Sequence, residues 1–136
     1  MIGIILASHG KFAEGFYDAL VMFSGEIEQI ECVSLNPDEN LVDFSKKIKS
    51  AIDNVDSGDG VVIFCDLLFG TPSNVAASLL NDTNYKNRIE IISGINLATV
   101  LEFTNMRGED IDRLHLLDVG RKGIESVNNI VNNQFI

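Results

Sequence analysis

Residues 2–7 of the chain, IGIILA, are almost uninterruptedly apolar and rich in β-branched side chains. Such a run suits a strand covered on both faces within a parallel sheet. The pattern then changes period: Phe12, Phe16, Ala19, Leu20 and Phe23 recur at helical spacing, and Gly25 is placed to end that helix. Residues 27–35 read as a second strand, and Asn36-Pro37-Asp38 turns the chain. Leu41, Phe44, Ile48, Ala51, Ile52 and Val55 then mark one face of a helix, opened by Asn40 and Asp43 at capping distance. Gly58-Asp59-Gly60 separates it from residues 61–65, VVIFC, the most apolar strand, which ends at Asp66. Thr71 is placed to cap the next helix and Pro72 to fill its first position, with Val75, Ala76, Leu79 and Leu80 inward.

Residues 88–92 predict a fourth strand, Ser93-Gly94 a turn, and residues 96–103 a short helix. Beyond Asp110, the spacing of Ile111, Leu114, Leu117, Ile124, Val127 and Ile130 predicts one or two more helices, weakened in the middle by Gly120 and Gly123. Residues 131–136 fit either an edge strand or a frayed end. Strands alternating with helices at these lengths predict an α/β fold: an open, mostly parallel four-stranded sheet with helices on both faces. At 136 residues, without a linker or repeat, the whole of 1–136 is expected to form a single domain.

Composition narrows the function classes. Hydrophobic residues make up 46% of the chain, enough for a core without disulfides or metals. The sequence has no apolar run of membrane-spanning length and no basic region ahead of its first strand, so a soluble, cytoplasmic protein is expected. Cys32 and Cys65 sit inside apolar segments, as reduced core thiols do. A formal charge of −10 with no basic stripe disfavours nucleic acid and suits a basic protein surface. No phosphate loop, G-x-S-x-G elbow or dinucleotide fingerprint occurs, and two histidines with unspaced cysteines imply neither a metal nor a cofactor.

The chemistry is expected where open α/β sheets bind ligands, beyond the carboxyl ends of the strands. His9 follows the first strand and Asp66 the third. Were those strands neighbours, the carboxylate would fix the imidazole tautomer, leaving the other ring nitrogen as a nucleophile and stabilising the ring once it gains an electrophile. Gly10 and Gly70 allow close backbone approach, and the helix start at Thr71 offers N–H groups and a hydroxyl to an anion. The combination points to phosphoryl transfer through histidine. Each residue also has a plainer role: His9 as a turn residue, Asp66 as a turn former, Thr71-Pro72 as an ordinary helix start. His115, among Leu114, Leu116 and Leu117, fits a packing or surface role.

The segments GIILASHGKFAEGF, VVIFCDLLFGTPSNVAASLL, ISGINLATVLE and GRKGIES together resemble the enzyme IIA component of the mannose-type (mannose, fructose, sorbose) bacterial sugar phosphotransferase system, over nearly the whole chain. The resemblance implies a phosphocarrier: His9 would take a phosphoryl group from HPr and pass it to a IIB component, with Asp66 holding the histidine and Thr71 near the phosphoryl group. It implies no cofactor, an indirect link to the membrane components IIC and IID, and a homodimer in which an antiparallel edge strand, for which residues 131–136 are the candidate, is exchanged. Two departures stand out. Phe69 replaces the first of two glycines common before the hydroxyl residue, and Ala98 stands where proline is frequent. With no IIB region attached, a separate partner is expected. Two alternatives stay open: the phosphoryl-donor subunit of a dihydroxyacetone kinase, whose chains generally lack GTPSN, and a non-catalytic regulatory module controlled by phosphorylation of His9.

Overall fold

The computed structural model describes residues 1–108 and 110–132. By internal contacts the chain divides into two units, Met1–Ile95 and Asn96–Ile136. The first is built from β1 (Gly3–His9), α1 (Phe12–Ser24), β2 (Ile30–Leu35), α2 (Leu41–Val55), β3 (Val61–Cys65), α3 (Thr71–Ser78), a short 3₁₀ turn (Leu79–Asn81) and β4 (Ile89–Ser93). The sheet runs β2-β1-β3-β4 with every pairing parallel, an all-parallel version of the expected open sheet.

Alternate strand residues point to opposite faces, and both faces here are apolar. Ile5, Ala7, Ile63 and Cys65 pack with Phe44, Ile48 and Ile52 of α2 and with Val75, Ala76 and Leu79. On the other face Ile4 and Leu6 are buried, and α1 lies against β1 and β2 with Ala13, Phe16 and Leu20 turned inward. Helices therefore cover both faces, which explains why β1 and β3 are near-continuous apolar runs. At the start of β1 the approach of α2 is so close that a side chain on Gly3 would meet the Val55 carbonyl oxygen at 2.6 Å.

Several boundaries differ from those read off the sequence. β2 begins at Ile30 because Gln29 takes a positive φ of 49° and its amide donates to the Val55 carbonyl, so residues 27–29 turn into the strand and do not belong to it. Phe12, Phe23, Leu41 and Leu80 share helical spacing with core residues but are exposed, because each sits at the edge of its helix's apolar stripe or at its end. Asn40 caps α2 as expected, accepting the Asp43 N–H at 2.8 Å.

The second unit contains α4 (Leu97–Asn105), α5 (Arg113–Lys122) and α6 (Val127–Asn132). Asn96 caps α4 by accepting the Thr99 N–H and donates to the Gly120 carbonyl at 2.8 Å. A Cβ at Gly120 would collide with the Thr99 hydroxyl, so this glycine is where α4 and α5 touch, whatever it costs in helix propensity. Leu116 is the fully buried residue of α5, while Leu114, Ile124, Val127 and Ile130 are exposed, contrary to their apolar spacing. Of the candidate edge strand, Val131 and Asn132 are the last residues of α6 and residues 133–136 lie outside the described residues. Among the described residues no helix is long and apolar enough to cross a membrane.

At the end of the sheet where β3 begins, Asp56 organises the turn. Its Oδ1 accepts the N–H groups of Gly58 and Gly60, and its Oδ2 accepts Arg88 Nε–H at 2.8 Å. Burial works to raise the Asp56 pKa, but the Arg88 hydrogen bond and the two backbone donors outweigh it and hold the carboxyl below its ordinary value. The folded state therefore binds this proton less tightly than the unfolded chain. The stabilisation is fully present above the ordinary aspartate range and is lost as pH falls through the depressed folded value. Asp56→Ala is expected to cost about 2–3 kcal/mol in urea unfolding at neutral pH. It should also flatten the acid loss of stability relative to wild type; an unchanged acid limb would contradict the assignment.

Candidate functional site

β1 and β3 are neighbours, and the helices that follow them leave to opposite faces of the sheet. Their carboxyl ends thus open the crevice expected at a topological switch point. His9 is the last residue of β1 and Asp66 the first residue after β3. The pairing of Ala7 with Cys65 and the Asp66 N–H donated to the Ala7 carbonyl, at 3.3 Å, fix the two backbones side by side.

One carboxylate oxygen then takes two bonds from the same residue. Asp66 Oδ2 accepts the His9 backbone N–H at 3.0 Å and lies 2.8 Å from His9 Nδ1. An ionised carboxylate only accepts, so Nδ1 carries the hydrogen and Nε2 is left with its lone pair. The His9 side chain is 45% exposed and that of Asp66 12%. The ring is thus held by a nearly buried anion while its own edge stays accessible. Asp66 Oδ1 is buried with no hydrogen-bond partner among the described residues, which concentrates the carboxylate's directed interaction on His9.

The glycines serve different needs. Gly10 takes φ +51° with open space where a Cβ would be, so it is the backbone angle that favours glycine there. Gly70 has an ordinary φ of −74°, but a Cβ on it would sit 2.8 Å from His9 Cε1. The imidazole lies directly on Gly70, and space is what that position demands.

Thr71 is not the cap of α3. Gly70 takes the extended cap conformation and its carbonyl accepts the Asn74 N–H at 2.9 Å, so Thr71 is the first helical residue and Pro72 the second. Lacking a side chain, Gly70 can turn beneath the His9 ring and start the helix one residue early. Thr71 lines an open groove of about 550 Å³ between α2 and α3, together with Leu41, Val42, Lys46, Asn74 and Val75. The structure therefore joins His9, Asp66 and Gly70 by direct contact and sets Thr71 at the helix start next along the chain.

Two residues of the surroundings, Ser8 and Asn74, were not singled out from sequence. Ser8, buried within an apolar strand, accepts the Ala13 N–H at 2.8 Å and so does for α1 what Lys11, its cap residue, does not. A lone serine in an apolar run was the available signal. Asn74 donates to the Phe69 carbonyl at 3.1 Å and braces the loop before α3. Phe69 itself has φ +65°, a left-handed conformation that costs a non-glycine residue about 1–2 kcal/mol. The loop thus keeps a backbone suited to glycine although phenylalanine occupies it.

The remaining candidates are ordinary. His115 pairs through Nε2 with Glu102 at 3.1 Å on the surface of the second unit, the surface role expected of it. Burial, with Asp66 adding to it, pushes the Cys65 thiol up to about 12, and burial with Glu14, Asp18 and Glu31 pushes Cys32 to about 11. Both are free and protonated at neutral pH, the less nucleophilic form of a thiol. Among the described residues no group of three or more His, Cys, Asp or Glu side chains is placed to hold a metal ion.

Known proteins are similar to this chain over most of its length. The family model EIIA-man, described as PTS system fructose IIA component, matches residues 3–114. The chain belongs to this family, the IIA components of the mannose-type phosphotransferase system. It is 30% identical over 119 residues to the PTS system sorbose-specific EIIA component of Lacticaseibacillus casei, covering 85% of this chain and 83% of that protein. It is 29% identical over 130 residues to the PTS system mannose-specific EIIAB component of Escherichia coli (strain K12), 93% of this chain but 39% of that longer protein. The chain thus spans about two fifths of the mannose-specific relatives it matches. Its fold is similar, with a TM-score of 0.86 and 29% identity over 96% of both chains, to the crystal structure of the PTS IIA protein associated with the fucose utilization operon from Streptococcus pneumoniae.

Two expectations follow. Gly70→Ala should displace the imidazole, seen as a shifted His9 ring resonance in NMR; an unmoved resonance would show that the ring does not rest there. The native chain should resist iodoacetamide at Cys65 under conditions that alkylate the unfolded chain quickly, as read by mass spectrometry; rapid labelling of Cys65 in the native protein would contradict a buried, protonated thiol.

Proposed function

We propose that this protein is a phosphocarrier of a sugar phosphotransferase system, accepting a phosphoryl group from phospho-HPr on His9 Nε2 and passing it to a IIB component. The observation that carries the reading is the 2.8 Å contact between His9 Nδ1 and Asp66, which leaves Nε2 as the free nucleophile on an exposed ring. Family membership supports the reaction class. The sugars named in its relatives favour transport over the kinase-donor and regulatory alternatives.

In the transfer, the Nε2 lone pair forms a bond to phosphorus as the donor's N–P bond breaks and its electron pair returns to the donor. Nδ1 keeps its hydrogen throughout, and Asp66 offsets the positive charge that the ring acquires. The second transfer reverses these roles toward the IIB nucleophile. Because one phosphoramidate is exchanged for another with little net driving force, positioning and charge stabilisation are the protein's contribution. Thr71 and the N–H groups at the start of α3, with the backbone at Gly10 and Gly70, would receive the phosphoryl oxygens. No metal or cofactor enters the scheme.

The same reading places the chain in the cytoplasm as a single domain, linked through IIB to the membrane components IIC and IID. It also makes the chain a homodimer. The exposed Val127, Ile130 and Val131 on α6 give that last part an apolar surface to work with.

Incubation with enzyme I, HPr and phosphoenolpyruvate should add one acid-labile phosphate, and His9→Ala should abolish it. Phosphate retained in the variant would overturn the assignment of His9. Asp66→Asn should leave the thermal unfolding profile near wild type while slowing transfer roughly ten- to hundredfold, the worth of a hydrogen bond to a charged group. An unchanged rate would dismiss Asp66 as the orienting anion.

A further inference from the structure

The loop between β3 and α3 exposes three consecutive apolar side chains, Leu67 and Leu68 at 58% each and Phe69 at 79%. A run of that kind on a surface is a liability unless something covers it. The loop is braced at both ends: the Gly70 N–H closes a turn on the Leu67 carbonyl at 3.0 Å, and Asn74 holds the Phe69 carbonyl. Phe69 is therefore kept in a backbone conformation that glycine would adopt freely, with its ring in solvent. Folding gains nothing from either feature. Strain and exposure retained together at one residue mark a role outside the folded chain.

The place of that residue says which role. Phe69 precedes Gly70, the glycine on which the His9 ring rests, and Leu67 follows Asp66, the residue that holds the ring. Both ends of the loop therefore touch the His9 ring, which sets its exposed apolar side chains beside the site a partner protein would approach. We infer that Phe69 is a specificity-determining contact for the phosphoryl acceptor, a protein whose nucleophilic side chain is bordered by an apolar recess that takes the phenyl ring. This rests on the proposed phosphocarrier role of His9. The acceptor is favoured over the donor because the relatives differ in the sugar they are named for. A bulky ring at a position of glycine-type backbone is a feature matched to one partner, whereas a donor shared among such chains has no need of it. Buried aromatic anchors of this sort commonly dominate the energetics of a protein interface.

The test compares wild type, Phe69→Gly and Phe69→Tyr, each charged with phosphate by HPr and then discharged to a purified IIB protein of the mannose-type system that accepts phosphate from the wild-type chain. Phe69→Gly should melt no lower than wild type, since it relieves the backbone. Its discharge to IIB should lose about tenfold in kcat/KM, carried by KM, with charging from HPr affected several-fold less. Phe69→Tyr, which keeps the ring, should restore discharge. Equal losses in charging and discharge, a loss carried by kcat alone, or no loss in either would overturn the inference. A wild-type chain that takes up no phosphate would overturn the underlying role of His9 as well, and so separates the two.

Discussion

Asp66 Oδ2 receives both the backbone N–H and the ring nitrogen of His9, and the geometry of the site follows from that double contact. A ring tethered only through Nδ1 could still swing about its side-chain bonds. With the main chain anchored to the same oxygen, the imidazole and the strand end are positioned as one body. The arrangement requires β1 and β3 to be parallel neighbours ending in register, which the β2-β1-β3-β4 order provides. The apolar core on both faces of those strands is what makes the register costly to change, because a slip of one residue would turn every buried side chain to the opposite face.

Around that pair, adjacent loop positions answer to opposite constraints. Gly70 has an unstrained backbone and is small because the imidazole occupies the space a Cβ would fill. Phe69 has the backbone of a glycine and a ring in solvent. The first serves the inside of the site and the second its outer rim. The start of α3 is shifted by this demand for room, since the residue that caps the helix is the one lying beneath His9.

Much of the fold was legible because its apolar pattern is strong. The runs at residues 2–7 and 61–65 announced strands buried on both faces, and the α2 stripe from Phe44 to Val55 appeared in the structure nearly residue for residue. The reading failed where apolar residues lie outside the packed stripe, as Phe12, Phe23, Leu80 and Leu114 do. Periodicity locates a helix face but does not say how wide a neighbour covers it. Gly120 looked like a weak point in a helix and is where two helices touch. That meaning depends on Thr99 and Asn96, more than twenty residues away, and has no local trace.

His9 and Asp66 could be nominated from their places at strand ends, because strand ends are local features of a chain. The α/β class, the strand and helix order and the identity of the candidate nucleophile are all written in short-range patterns of apolar, turn-forming and titratable residues. Whether the two strands lie side by side is not, since strand order is settled by how helices and sheet faces bury one another over the whole domain. The 2.8 Å contact, the space under the imidazole and the left-handed backbone of Phe69 are products of that packing. They arise between residues distant in sequence or under the constraint of a closed loop, where local propensity alone would not have put a phenylalanine.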